Sequence, residues 1–206
     1  MIKNIIFDLG GVIITIDHER AIGRFKELGL KEAEQLLDPY TQFGIFGDLE
    51  IGKIDAETFR IELGKLVGHE LTFDECRYAW MGYCKELPKR NLEALKKLKS
   101  EGYRIILLSN TNPYMMSWAD SDEFDGIGHS LSYYFNSTYR SYIVKKMKPD
   151  EMFFRQVMTK EMIFPENTLF VDDGPRNVAA ASELGINTFC PKNGDDWTHD
   201  IYKYLK

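Results

Sequence analysis

The sequence predicts an α/β fold in which a doubly wound parallel sheet carries an inserted α-helical cap. Three observations support that expectation. Short apolar runs at residues 2–7, 103–108, 168–171 and 187–190 have the length of buried strands, and each is followed by polar or turn residues. Helical patterns separate the later runs, and βα alternation implies a parallel sheet with right-handed crossovers. Between residues 17 and 84 amphipathic segments take the place of buried strands. The core is therefore expected to be Rossmann-like.

The first run, 2–7, ends in Asp8 and a pair of glycines, Gly10 and Gly11. The stretch after it reads as helices at 21–28, 56–67 and 73–84. Because this insertion begins just after the first strand, it would sit above that strand's carboxyl end, where a cap covers a ligand. From Pro88 to Gly102, Leu92, Leu95 and Leu98 recur at helical spacing, with Pro and Gly at the expected ends. A further strand is expected near 133–136 and a helix over 152–162. Asp173-Gly174-Pro175 opens a helix that runs through Ala179, Ala180, Ala181 and Leu184 and closes at Gly185. The expected division is an α/β catalytic core of residues 1–16 and 85–206 and a helical cap of 17–84. In sheets of this kind ligands bind beyond the carboxyl ends of the strands.

With 44% hydrophobic and 28% charged residues, the 206-residue chain can bury a core and does not read as disordered or fibrous. Its apolar runs fall short of the ~20 residues that cross a bilayer. The apolar start stops at Asp8 without a small-residue cleavage site, which points to the cytoplasm. Cys76, Cys84 and Cys190 are odd in number and lack C-x-x-C spacing, so they read as reduced small hydrophobes. Asn136-Ser137-Thr138 matches the glycosylation pattern, a match read as accidental here. A formal charge of −6 argues against nucleic-acid and anionic-membrane partners, which need clustered Lys and Arg. The notable basic cluster is Lys145, Lys146 and Lys148, the first two of which read as a solvated turn. An anionic small molecule would then be held locally, by a metal and a few donors.

Three strands end in residues suited to phosphate chemistry: Asp8, Ser109-Asn110 and Asp172-Asp173. Lys148 lies just before the 152–162 helix and can reach the same crevice. Each has an ordinary reading when taken singly. Asp8 could cap a turn, Asp173 could N-cap the helix before Pro175, Asn110 and Asn112 suit a turn and cap ahead of Pro113, and Lys148 could snorkel. Together they fit that reading poorly. Two adjacent carboxylates near a third, at buried strand ends, are unfavourable unless a cation neutralises them.

The order and spacing resemble the haloacid dehalogenase superfamily, through FDLGGV at 7–12, LLSN at 107–110, Lys148 in KPD and FVDDGPRN at 170–177. The insertion resembles that family's helical cap, and FGDLEIGKIDAETF at 46–59 resembles the cap of small sugar phosphatases of the glucose-1-phosphate type. The resemblance implies a Mg²⁺-dependent phosphomonoesterase acting on a small phosphorylated metabolite such as a sugar phosphate. It implies Asp8 as nucleophile, forming an aspartyl-phosphate that water cleaves. Mg²⁺ would be held by Asp8, the Gly10 carbonyl and Asp173, with Asp172 holding a metal-bound water. Ser109, Lys148 and backbone N–H groups around Asn110, Gly10 and Gly11 would bind phosphate, with Lys148 also offsetting charge among phosphate, Asp8 and Asp173.

One position departs from the pattern. Most phosphatases of the superfamily carry an acid/base aspartate two residues after the nucleophile, where this chain has Gly10. General acid–base help is typically worth ~10²–10⁴-fold. Asp17 and His18, which enter the cap, are candidate substitutes, although both are better read as the start of a cap helix with Asp17 as N-cap. The cap faces the leaving group, so Phe43, Phe46, Asp48 and His69 are candidates for substrate choice, but each reads first as packing. Met115, Met116 and Trp118 likewise read as packing, and His129 and His199 as structural. Two other functions share these residues, a metal-free 2-haloacid dehalogenase and a non-catalytic phosphate-binding or regulatory module. The Asp172-Asp173 pair disfavours the first, and retention of Asp8, Ser109, Lys148 and Asp173 disfavours the second. A receiver domain would be shorter, with its acidic pair near the first strand. The chain is expected to be a monomer or homodimer.

Overall fold

A computed structural model describes residues 1–37 and 43–206. The expected span 17–84 therefore lies partly outside the described residues. The first strand, β1 (Asn4–Phe7), is followed by a two-residue strand, β2 (Thr15–Ile16). Five helices come next: α1 (His18–Glu27), α2 (Ala33–Leu36), α3 (Gly44–Glu50), α4 (Ala56–Val67) and α5 (Phe73–Trp80). The chain returns through β3 (Cys84–Glu86), α6 (Lys89–Ser100), β4 (Arg104–Ser109) and α7 (Pro113–Ala119). It ends with β5 (Ser137–Arg140), α8 (Ser141–Val144), α9 (Glu151–Glu161), β6 (Thr168–Val171), α10 (Pro175–Glu183) and β7 (Asn187–Phe189).

The main sheet is parallel, in the order β5-β4-β1-β6-β7. Successive side chains on a strand point to opposite faces, so the apolar runs need cover on both. Ile5, Phe7, Ile105 and Leu107 pack with Leu92, Leu95 and Leu98 of α6 and with Trp197. Ile6, Ile106, Leu108 and Phe170 pack with Phe153, Phe154 and Val157 of α9 and Ala181 of α10. This two-sided cover makes the sheet doubly wound. β1 stands at its centre, with the next strand of this sheet, β4, on one side and the later β6 on the other, which is the switch point where the crevice opens.

The inserted helices bury a core of their own. Phe25, Phe46, Phe59 and Trp80 meet in tilted and edge-to-face contacts with centroids 5.1–5.9 Å apart, and Tyr114 of α7 joins them from the sheet side. Helix starts follow their caps. Asp17 Oδ1 accepts from Arg20 N at 3.0 Å, Asp55 Oδ1 accepts from Thr58 N at 2.8 Å, and Thr72 with Glu75 forms a capping box. At the base of the insertion, β2 and β3 pair as an antiparallel ribbon. The Arg20 guanidinium donates to the carbonyls of Gly82, Met81 and Cys84 beside that ribbon.

Two sequence expectations are corrected. The strand expected near 133–136 is a 3₁₀ turn at Leu131–Tyr134, with the strand at Ser137–Arg140. The Asn136 N–H donates to Ile105 O and its Oδ1 accepts from Ile105 N, so Asn136 closes the entry and pairing begins at Ser137. The helix expected over 73–84 ends at Trp80, because Cys84–Glu86 leaves to pair with β2. Among the described residues no helix is long and apolar enough to cross a membrane.

Candidate active site

Asp8 leaves the end of β1 with its N–H donated to Val171 O at 2.9 Å, which ties it to the end of β6. Its Oδ1 accepts from Leu9 N at 2.7 Å and lies 2.8 Å from Lys148 Nζ. Lys148 also donates to Asp172 Oδ2 at 2.6 Å. The position of Lys148 is set by Asn110, whose Nδ2 donates to Lys148 O and whose Oδ1 accepts from Lys148 N, each at 2.9 Å. Asn110 thus acts on Lys148 through its side chain. Ser109 is buried beside it, with its hydroxyl donated to the Asn110 carbonyl at 3.3 Å.

Asp172 and Asp173 have different surroundings although they are adjacent. Asp172 is fully buried, and its Oδ1 accepts from Gly174 N at 2.8 Å and from Asn177 Nδ2 at 3.0 Å. It therefore takes the place expected of Asp173 at the start of α10, because burial demands that its oxygens be satisfied. The Gly174 N-cap makes no side-chain bond. Asp173 faces the cavity, as do Asp8, Gly10, Ser109, Asn110 and Lys148. Gly11, at φ +75, stands behind: a Cβ there would meet Asp173 Oδ2 at 2.1 Å.

One oxygen from each of Asp8, Asp172 and Asp173 lies within 4.8 Å of the others. Burial pushes the Asp8 carboxyl well above its ordinary pKa; Lys148 opposes this, while Asp172 and Asp173 add to it. Burial, with Asp172 adding to it, also lifts Asp173 to about 6. Burial works against the Lys148 ammonium, yet Asp172 and Asp8 hold its pKa above the usual value. Three carboxylates against one ammonium leave a deficit of positive charge. Asp172 is engaged by protein donors, so Asp8 and Asp173 remain as hard oxygen donors open to the cavity, a donor set that fits a magnesium ion.

The cavity encloses about 960 Å³ between strand ends and inserted helices. The space at Gly10 is taken by Ile16, whose Cδ1 would lie 2.5 Å from a Cβ there. Asp17 caps α1, and His18 lines the cavity with Nε2 donated to Leu37 O at 2.5 Å. Of the cap candidates, Phe43 and Asp48 line the cavity and Phe46 lies in the cap core. His69 hydrogen-bonds the carbonyls of Glu70 and Leu28 and is not among the residues lining the cavity. His129 pairs with Asp125 at 2.8 Å in a loop. Sequence reasoning missed Asn177, Glu50 and Asn112 as neighbours of the site. Asn177 had a signal: it lies in the first turn of the helix that Gly174-Pro175 opens, five positions after Asp172.

The family model for haloacid dehalogenase-like hydrolases matches residues 2–185. The chain is a haloacid dehalogenase-like hydrolase. As such it is 45% identical to a D-ribitol-5-phosphate phosphatase of Bacteroides thetaiotaomicron, covering 98% of this chain and 97% of the relative. A predicted HAD-like family hydrolase from Porphyromonas gingivalis superposes with a TM-score of 0.95 at 42% identity, covering 100% of this chain and 98% of the other. A HAD family enzyme from Bacteroides thetaiotaomicron, solved as the wild-type protein with magnesium and inorganic phosphate, gives 0.87 at 36% identity, covering 97% and 98%. An L-2-haloacid dehalogenase of Xanthobacter autotrophicus, at 0.59 and 16% identity over 91% of this chain and 76% of the other, shares the fold alone.

Proposed function

We propose that this hydrolase is a magnesium-dependent phosphomonoesterase acting on a small phosphorylated sugar or polyol. The observation that carries this is the Asp8, Asp172 and Asp173 cluster, with Lys148 bridging the first two, at the floor of a cavity large enough for such a molecule. The relationship to a D-ribitol-5-phosphate phosphatase along nearly the whole chain supports the substrate class. Asp8 attacks phosphorus and carries the phosphoryl group until water removes it. Asp8, the Gly10 carbonyl and Asp173 would hold Mg²⁺, which when bound supplies charge neutralisation at the phosphoryl oxygens. Ser109, Lys148 and backbone N–H groups at Gly10 and Asn110 bind those oxygens, whereas the Gly11 N–H, expected to join them, is donated to Ile14 O at 2.8 Å. Asp172, whose two oxygens are taken up by Lys148, Gly174 N and Asn177, orients Lys148 and the start of α10 rather than holding a water of a metal shell. Residues 17–84 form the cap that meets the leaving group.

The test is release of inorganic phosphate from a panel of sugar and polyol phosphates, with Mg²⁺ or with EDTA. Release that needs the metal and falls on the order of 10⁴-fold in Asp8→Asn is expected. Equal release by Asp8→Asn, or chloride release from a 2-haloacid without metal, would overturn the proposal.

A further inference from the structure

Cleavage of a sugar or polyol phosphate expels an alkoxide, which leaves well only if a proton reaches its oxygen in the transition state. The core supplies no evident donor. Asp8 attacks phosphorus, Asp172 is engaged by protein donors, and Ile16 fills the space at Gly10. Lys148 is bonded to two carboxylates. Resting on the phosphatase reading, we infer that Glu50, which reaches the cavity from the cap, is the general acid and base of the reaction.

Glu50 ends α3 and borders the same cavity as Asp8, Ser109 and Lys148, with only 9% of its surface exposed. Its carboxyl faces the Asn112 side chain, from the loop that follows β4. The Asn112 Oδ1 accepts from Tyr114 N and Met115 N, both at 3.1 Å, so its amide N–H₂ is the end left for Glu50. The segment is pinned to the core two residues later. Gly52, at φ +71, lies so close to the Tyr142 carbonyl that a Cβ would stand 2.0 Å from its oxygen. Glu50 is thus held over the ends of the strands by backbone contact. Burial raises its pKa to about 7, with Asn112 acting against the rise, so both protonation states are accessible near neutrality.

Several other ionisable groups on the cavity wall are less suited. His18 donates through Nε2 to Leu37 O, and its Nδ1 faces Glu19 at 3.8 Å. Asp48 is paired with Lys53 at 3.0 Å. Arg176 and Lys192 present basic side chains, the Cys84 thiol is pushed up by burial, and Asp173 faces the metal position.

In the first half of the reaction a bond forms from an Asp8 oxygen to phosphorus as the bond from phosphorus to the alcohol oxygen breaks. The Glu50 acid gives its proton to that oxygen, and the alcohol departs. In the second half, the Glu50 carboxylate takes a proton from water while the water oxygen bonds to phosphorus and the bond to Asp8 breaks. One water is consumed, and both side chains return to their starting forms.

The test compares wild type with Glu50→Gln in rapid-mixing experiments with Mg²⁺, using p-nitrophenyl phosphate and ribitol 5-phosphate. Nitrophenolate leaves without a proton, so only the second half of its reaction needs Glu50. The expected result for Glu50→Gln is a burst of one nitrophenolate per active site, then steady turnover lowered about 10²–10³-fold. With ribitol 5-phosphate there is no burst and kcat falls by a similar factor, and Glu50→Asp recovers part of it. Turnover within about twofold of wild type, or a raised KM with unchanged kcat, overturns the assignment while leaving the phosphatase reading standing. A wild type that cleaves neither ester overturns both.

Discussion

Lys148 Nζ donates to Asp172 Oδ2 at 2.6 Å, with both side chains sealed from solvent. Because Asp172 is also bonded by Gly174 N and Asn177, the pair ties the loop before α9 to the start of α10. Removing one member strands the other charge in the interior. Lys148→Met is expected to destabilise the fold by about 3–5 kcal/mol in urea denaturation, and the double change with Asp172→Asn to regain part of that. Both variants lose phosphatase activity. A double variant less stable than Lys148→Met would show that the charge pair is not the cause.

Gly11 offers a sharp steric test. Its φ of +75 and the 2.1 Å that would separate an added Cβ from Asp173 Oδ2 leave no room for a side chain. Gly11→Ala should displace Asp173 and cost about 10²-fold or more in kcat/KM, the scale of a 1 Å misplacement. Gly126 has a similar φ of +71 but open space around it, so Gly126→Ala serves as the control and should leave turnover unchanged. Comparable losses in both variants would refute the steric account.

Glu50 makes stability depend on pH in a definite direction. Its folded pKa, about 7, lies above its unfolded value near 4.3, so the folded state holds a proton that the unfolded state has released. Stability from this group is complete below about pH 4, declines as pH rises through 7, and then levels off. Glu50→Gln lacks that decline. Its stability relative to wild type should therefore grow by about 1–3 kcal/mol between pH 5 and pH 8, measured by denaturant melts. A constant difference across that range would contradict burial as the source of the shift.

Asp125 has the opposite sign. Burial works to raise its pKa, but the Tyr134 hydroxyl at 2.6 Å and the N–H groups of His129 at 3.0 Å and Ile127 at 2.9 Å hold it well below the usual range. Its stabilising contribution is present above its unfolded value of about 3.9 and is lost as pH falls through the folded one. Wild type should then lose more stability than Asp125→Asn between about pH 5 and pH 2. Parallel acid melts for the two proteins would count against this.

Much of the fold is legible because its signals are local. A strand covered on both faces needs an unbroken apolar run, and β1, β4 and β6 each show one directly before Asp8, Ser109 or Asp172. β5 has no such run: STYR is only partly buried at the sheet edge, so the sequence points a few residues too early. The short ribbon of β2 and β3 escapes notice for a similar reason, since two and three residues are too few to show a period.

The sequence by itself determined the chemistry available at the strand ends and the presence of a helical insertion beyond the first of them. Only the tertiary structure decided which of two adjacent aspartates is buried on Lys148 and which faces the cavity. It alone brought Glu50 against Asn112, residues far apart in the chain, through the contact of Gly52 with Tyr142. The physical reason is that periodicity reports which way a side chain points from its own element, whereas burial and hydrogen-bond partners depend on what other elements press against it.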